Sequence, residues 1–184
     1  IGAAVVSVDP IYIHTGQQIE SQFNELVDNI IAQVRATPDD WVWSYHRSPE
    51  HLKENRLNAL RQFLRDYESE TAHGRYVVGA LPALNFSDGA FDLALCSHFL
   101  FLYSDHLDYE FHRASIFEML RVAAEVRIFP LLTLKSSMSS FVQPLLLDLK
   151  SKQYAATVEK VDYEFQRGGK RNALYPRAES TKAD

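Results

Sequence analysis

Three places in this chain gather side chains able to do chemistry. The first is Asp9, which closes the small and apolar run Ala3-Ala4-Val5-Val6-Ser7-Val8 and is followed by Pro10. A carboxylate has two oxygens and accepts two donors side by side. The second is Cys96-Ser97-His98: a thiol, a hydroxyl and an imidazole in succession at the end of another apolar run. His98 is the group best suited to face a reacting atom, since imidazole gives or takes a proton near neutral pH. Cys96 reads as a small buried hydrophobe, with no base beside it on its strand face. The third is the stretch holding His98, Asp105, His106, Asp108, Glu110 and His112. His106 and His112 are six positions apart and fall on different faces of a helix, so the stretch reads as solvated helix surface and no metal site is expected.

Each candidate has a plainer reading beside it. Asp9-Pro10 is also what a strand-ending turn looks like. His98 is also a hydrogen-bonded histidine at a strand end. Trp41, Trp43, Tyr45 and His46 would line a substrate lid or simply pack between two helices. Tyr12 and Tyr103 are weaker candidates, as aromatic hydroxyls in strand-end loops.

The elements that must position these groups follow from periodicity. Residues 3–8 predict a strand buried on both faces. Ile19, Phe23, Leu26, Val27, Ile30, Ile31 and Val34 follow the helical i, i+3, i+4, i+7 template. Thr37-Pro38 breaks that helix. Ser48-Pro49-Glu50 starts another, with a hydroxyl cap, a proline at the first position and an acid against the dipole, and His73-Gly74 ends it. Strands are predicted at Tyr76 to Val78, Phe91 to Cys96 and Val126 to Leu132, with a helix capped by Ser104 between the last two. A Ser/Thr-rich loop from Thr133 to Ser140 leads into a helix with Phe141, Leu145 and Leu149 inward. Thr157 to Phe165 predicts a long strand, which Gly168-Gly169 turns back into Asn172 to Tyr175. The polar tail at 178–184 is expected to be disordered.

Strands alternating with helices, closed by an antiparallel hairpin, predict an α/β fold with a mostly parallel sheet. Ligands of such sheets bind at the carboxyl ends of the strands. That rule singles out Asp9, the Gly79-Ala80-Leu81 loop and Ser97-His98. The 184 residues suit one domain, 1–177, with a helical insertion at about 14–73. The net charge of −5 argues against nucleic acid or an anionic membrane as partner. No apolar run approaches the ~20 residues of a membrane helix. One cysteine excludes an internal disulfide and suits a reducing cytoplasm.

Four stretches resemble class I S-adenosylmethionine-dependent methyltransferases, in that family's order: "VVSVDP", "GALPALNFSDGAFDLALCSHFLFLY", "EMLRVAAEVRIFPLL" and "YEFQRGGKRNALYP". The middle stretch is the most specific, and "CSHFLFLYSD" with "EVRIFPLL" resembles one group of uncharacterised bacterial methyltransferases. The resemblance implies a Rossmann-like fold, S-adenosylmethionine as cofactor, and methyl transfer to a small-molecule acceptor. It implies that Asp9 and Pro10 meet the ribose hydroxyls, that Gly79, Ala80 and Leu81 border the adenine through backbone N–H groups, that Ser97 lies along the cofactor, and that His98 is catalytic. No Asn-Pro-Pro-Tyr-type motif follows Phe91 to Cys96, which disfavours amination of nucleic-acid bases.

Two departures accompany the resemblance. The family's first strand and glycine-rich loop, which would precede Ile1, are absent, so the fold is expected to be N-terminally truncated, with a further strand upstream in the natural protein. Val78-Gly79-Ala80 also stands where the family often has an acid. Two alternatives remain open at this point: a non-catalytic, methyltransferase-like scaffold, and another Rossmann-like enzyme such as a nucleotide-dependent oxidoreductase, which shares a ribose-binding acid.

Overall fold

A computed structural model describes residues 3–69, 73–169 and 172–176. The chain divides into two compact units, residues 1–80 and residues 81–184.

The first unit is a helical hairpin set on a minimal parallel ladder. Strand β1 (Ser7–Val8) pairs in parallel with β2 (Tyr76–Val77), Ser7 opposite Tyr76 and Val8 opposite Val77. The connection between them carries α1 (Gly16–Ala36) and α2 (Pro49–Tyr67). Helix α1 starts in a capping box. The Thr15 hydroxyl accepts the Gln18 amide at 3.3 Å, and the Gln18 side chain accepts the Thr15 amide at 2.9 Å. Part of the expected stripe is buried: Ile19, Val27, Ile31 and Val34 of α1, with Leu52 and Leu60 of α2, form the interior, whereas Phe23 and Ile30 are half-buried and Leu26 faces outward, 57% exposed. Ser48 caps α2 as its type and place require, accepting the His51 amide at 3.1 Å. Helix α2 stops at Tyr67 rather than at His73-Gly74. The Tyr67 hydroxyl donates to the carbonyls of Tyr12 and His14, at 3.0 and 2.9 Å, which ties the last turn to the chain just before α1.

The expectation of a first strand over residues 3–8, buried on both faces, is corrected. The ladder covers two residues, and Val5 is 65% exposed. Among the described residues β1 has a partner on one side only, so the run is apolar without being enclosed.

The second unit has a four-stranded sheet in the order β3-β4-β6-β5. Strands β3 (Phe91–Ser97) and β4 (Ala123–Phe129) are parallel, with Leu93 opposite Glu125 and Ser97 opposite Phe129. Helix α3 (Tyr109–Val122) crosses between them, and α4 (Val142–Ser151) follows β4. The sheet closes through β6 (Asn172–Pro176), antiparallel to both β4 and β5 (Thr157–Glu159). The core lies on one face of this sheet, where Cys96, Val126 and Ile128 meet Ile116, Leu120, Leu145 and Leu149.

Three boundaries differ from the sequence reading. Strand β4 begins at Ala123 and ends at Phe129; Leu131 and Leu132 are buried, but in the loop that follows. Apolar burial marks a core, and only the ladder marks a strand. Helix α3 is capped by Asp108, whose carboxylate accepts the Phe111 amide at 2.8 Å, not by Ser104. The long strand expected over Thr157 to Phe165 is ordered as a strand only to Glu159, although it does pair antiparallel with β6. The α/β class, two parallel strand pairs and the closing antiparallel pair are present, but the expected mostly parallel sheet is corrected: the described strands form two sheets, and in the four-stranded one only β3–β4 is parallel, β6 pairing antiparallel with both its neighbours. The tail at 178–184 lies outside the described residues. No described helix is long and apolar enough to cross a membrane.

Candidate functional site

In the first unit, the parallel pair brings Asp9 and Gly79 to the same end. The Asp9 amide extends the ladder, donating to the Val77 carbonyl at 3.2 Å. Asp9 is therefore at the carboxyl end of β1, beside the segment in which Val78, Gly79 and Ala80 leave β2. Pro10 follows as the first residue of a short 3-10 turn, Pro10–Ile13. One Asp9 oxygen, Oδ1, caps that turn by accepting the Ile11 amide at 2.8 Å. The other takes no hydrogen bond from the described residues, and the side chain is exposed. Gly79 stands against β1 so closely that a Cβ there would sit 2.8 Å from the Val8 Cγ1. A side chain at position 79 would require the Val8 methyl to give way.

Behind this end lies an aromatic box. The rings of Tyr12, Phe63, Tyr67 and Tyr76 pack with centroids between 5.1 and 6.2 Å apart. The Tyr12 hydroxyl shares a 2.6 Å hydrogen bond with Ser7 Oγ, and burial raises its pKa. Tyr12 is thus held as a strut of the strand end. In the connector between the helices, the Trp41 indole donates to Thr37 Oγ1 at 3.0 Å and the His46 ring meets Tyr45 edge-on at 4.8 Å.

In the second unit, Ser97 and His98 lie at the carboxyl end of β3. His98 has φ 54, in the left-handed region that a non-glycine residue seldom adopts. Its amide donates to the Phe129 carbonyl at 2.6 Å, and its ring meets the Phe129 ring edge-on at 5.5 Å. The end of the neighbouring strand thus holds the turn in place. Ser97 Oγ and His98 Nδ1 share a 2.8 Å hydrogen bond, and both side chains are exposed. Cys96, by contrast, points into the core at 8% exposure, and burial pushes its thiol pKa up. Leu81 packs against this same core, at the head of the loop leading to β3.

The histidine-rich stretch is corrected. His106 is exposed, but His112 is fully buried in the first turns of α3. Its Nδ1 lies 2.7 Å from the Asp108 carbonyl and its Nε2 lies 2.9 Å from the Leu100 carbonyl. Ser104 Oγ joins this network at 3.3 Å from Nε2, donates to the Phe101 carbonyl, and meets Ser139 Oγ at 2.7 Å. The network fastens the loop that starts at His98 to the loop that follows β4. Charge and polarity along the stretch suggested a solvated face. The signal that identifies His112 is its place at the i+4 position from the capping Asp108, on the same stripe as Ile116 and Leu120. Among the described residues, no group of three or more His, Cys, Asp or Glu is arranged to hold a metal ion.

No known family model matches the chain, and no solved structure matches it. It is 34% identical over 169 residues to an uncharacterised protein of the archaeon Methanocaldococcus jannaschii, across 91% of this chain and 73% of that protein. The chain belongs to that protein's family. In this family the match takes in nearly all of the present chain, and so runs across both units.

Proposed function

We propose that this protein is a Rossmann-like, S-adenosylmethionine-dependent methyltransferase, working in the cytoplasm on a small-molecule acceptor and on neither nucleic acid nor membranes. The observation that carries the reading is the parallel β1–β2 pair, which brings Asp9 and the tight Gly79 approach to the carboxyl end where α/β sheets take their ligands. Asp9 fits the cofactor's ribose on one specific ground: it has an exposed carboxylate oxygen that its own turn does not use.

The bound cofactor would supply a methyl group on a sulfonium centre. The chain's own residues do the rest by holding and aligning. Asp9 accepts the ribose hydroxyls, with Pro10 fixing the turn behind it. Gly79, Ala80 and Leu81 offer main-chain edges to the adenine. In the second unit by itself, Ser97 and His98 are the candidates for the reacting end, where an imidazole suits removal of a proton from a hydroxyl or amine acceptor. Titration of S-adenosylmethionine into the whole natural protein by calorimetry tests this. Asp9→Ala is expected to weaken binding by about tenfold or more, the loss of charge-assisted hydrogen bonds.

One observation favours a second reading. The Asp9 Oδ1 contact with the Ile11 amide is the bond a plain turn residue makes. If that is its whole role, the protein is a methyltransferase-like scaffold that takes up no cofactor, and the titration shows no heat.

A further inference from the structure

Arg121 lies in the last turn of α3, and the five N–H bonds of its guanidinium are all engaged. Nε donates to Glu118 Oε2 at 2.8 Å. Nη1 donates to the Phe86 carbonyl at 2.7 Å and to Asp88 Oδ1 at 2.8 Å. Nη2 donates to the Leu84 carbonyl at 2.9 Å and to Glu118 Oε1 at 2.7 Å. Glu118 Oε1 in turn accepts the Leu84 amide at 2.6 Å. The Gly89 amide donates to the carbonyl of Arg121 itself at 2.8 Å. Two residues one helical turn apart therefore grip both ends and the middle of the segment 84–89.

That segment contains no strand or helix, and Asn85, Ser87, Asp88 and Gly89 are exposed. Besides the bonds to α3 it has the half-buried Phe86 ring, edge-on to Phe91 at 4.9 Å, and one long turn bond, from the Ala90 amide to the Ser87 carbonyl at 3.3 Å. With one ring as its anchor, the main chain on either side of Phe86 would ordinarily sample several conformations. The fork of an arginine, rigid and planar, fixes two carbonyls and a carboxylate at once, which a lysine ammonium on a flexible stem does not do.

We propose that Arg121, oriented by Glu118, is a positioning residue: it sets the conformation of the loop from Leu81 to Gly89 and, through that loop, the affinity of the protein for its cofactor. The second half of the proposal rests on the methyltransferase reading, in which Leu81 borders the adenine. Arg121 touches no ligand. It acts through the Leu84 and Phe86 main chain on a loop that enters the site at Leu81.

The test uses the whole natural protein with Arg121→Lys, Glu118→Gln and, as control, Arg113→Lys. Arg113 is a second arginine on α3, paired with Asp148 at 2.6 Å and remote in sequence from the loop. Amide exchange read by mass spectrometry on the peptide covering 82–90 should speed by about tenfold or more in Arg121→Lys and less in Glu118→Gln. The dissociation constant for S-adenosylmethionine should rise by about tenfold in Arg121→Lys. Arg113→Lys should lower the melting temperature comparably while leaving both readouts at wild-type values. A purely structural role predicts the opposite split: a lower melting temperature in Arg121→Lys with unchanged affinity of the folded protein, and that result overturns the proposal. Unchanged exchange in the 82–90 peptide overturns it too. If wild type takes up no S-adenosylmethionine, the methyltransferase reading fails by itself, and exchange alone decides whether Arg121 sets the loop. Should Arg121→Lys not fold, Glu118→Gln carries the same comparison.

Discussion

Two neighbours at the base of β2 show how a single side chain sets another's proton affinity. Asp66 accepts the Tyr76 hydroxyl at 2.5 Å and pairs with Arg75. The hydroxyl first, and the Arg75 side chain next, hold the Asp66 carboxyl below the usual carboxylate range. A depressed folded value means the contact stabilises the fold above the ordinary carboxylate range and loses that contribution as pH falls through the folded value. Tyr76 moves the other way: burial, then Asp66, push its hydroxyl up to about 12. The unfolded phenol ionises first, at about 10, so stability declines as pH rises from there towards the folded value. Tyr76→Phe should remove the latest tyrosine ionisation seen by ultraviolet absorbance and raise the Asp66 titration followed by NMR; an Asp66 titration that does not move would contradict the pairing. Cys96 yields a second expectation. Its burial and raised pKa predict that a thiol reagent labels the native protein only as fast as the core opens, and prompt labelling at neutral pH would show the side chain elsewhere. The placement of Asp9 and His98 at the carboxyl ends of their strands was legible from residue type and position. The burial of His112 was not, because a histidine amid Asp105, His106, Asp108 and Glu110 carries the composition of a surface, and only the carbonyls of Asp108 and Leu100 reveal its partners.

At the level of elements, caps and stripes transfer from sequence to structure where local forces decide. The Ser48-Pro49-Glu50 start of α2 depends on one hydroxyl satisfying the His51 amide, so Ser48→Ala should cost about 1 kcal/mol in chemical unfolding, and a cost near zero would deny the cap. The start of helix α3 is ambiguous in the sequence because Ser104 and Asp108 are both capping residue types. Tertiary partners settle the choice: Ser104 Oγ is drawn to Phe101, His112 and Ser139, which leaves Asp108 to take the Phe111 amide. Further along α3, Ser115 Oγ is fully buried and has no hydrogen-bond partner among the described residues. Burying a hydroxyl without a partner costs about 1–3 kcal/mol, so Ser115→Ala should be neutral or stabilising. A clear loss of stability there would mean the hydroxyl is bonded. The β4 boundary was displaced for a related reason. Leu131 and Leu132 are as apolar and as buried as strand residues, but parallel pairing with β3 stops at Ser97 opposite Phe129.

Across the molecule, burial is uneven in a way composition does not show. Among the described residues strand β3 stands at the end of its sheet, with Leu93 41% and Leu95 70% exposed on the face away from the core. Parallel strands usually have both faces covered, and an open apolar edge invites pairing. Leu95→Lys separates two cases. If this face is solvated in the natural protein, stability should change by no more than about 0.5 kcal/mol, whereas a loss several times larger would show that something lies on it. The sequence pattern conveyed which runs are apolar, the alternation of strands and helices, and the closing antiparallel pair. It did not convey which apolar runs are enclosed, since enclosure depends on partners distant along the chain, as Val5 and Leu95 both illustrate. In the proposed function the carboxyl end of β1 receives the ribose of S-adenosylmethionine on Asp9. The decisive measurement is calorimetric titration of that cofactor into the whole natural protein, beside the Asp9→Ala variant. Saturable binding to wild type is expected, weakened by about tenfold or more in the variant. Absence of binding to wild type, or the same dissociation constant in both proteins, would contradict it.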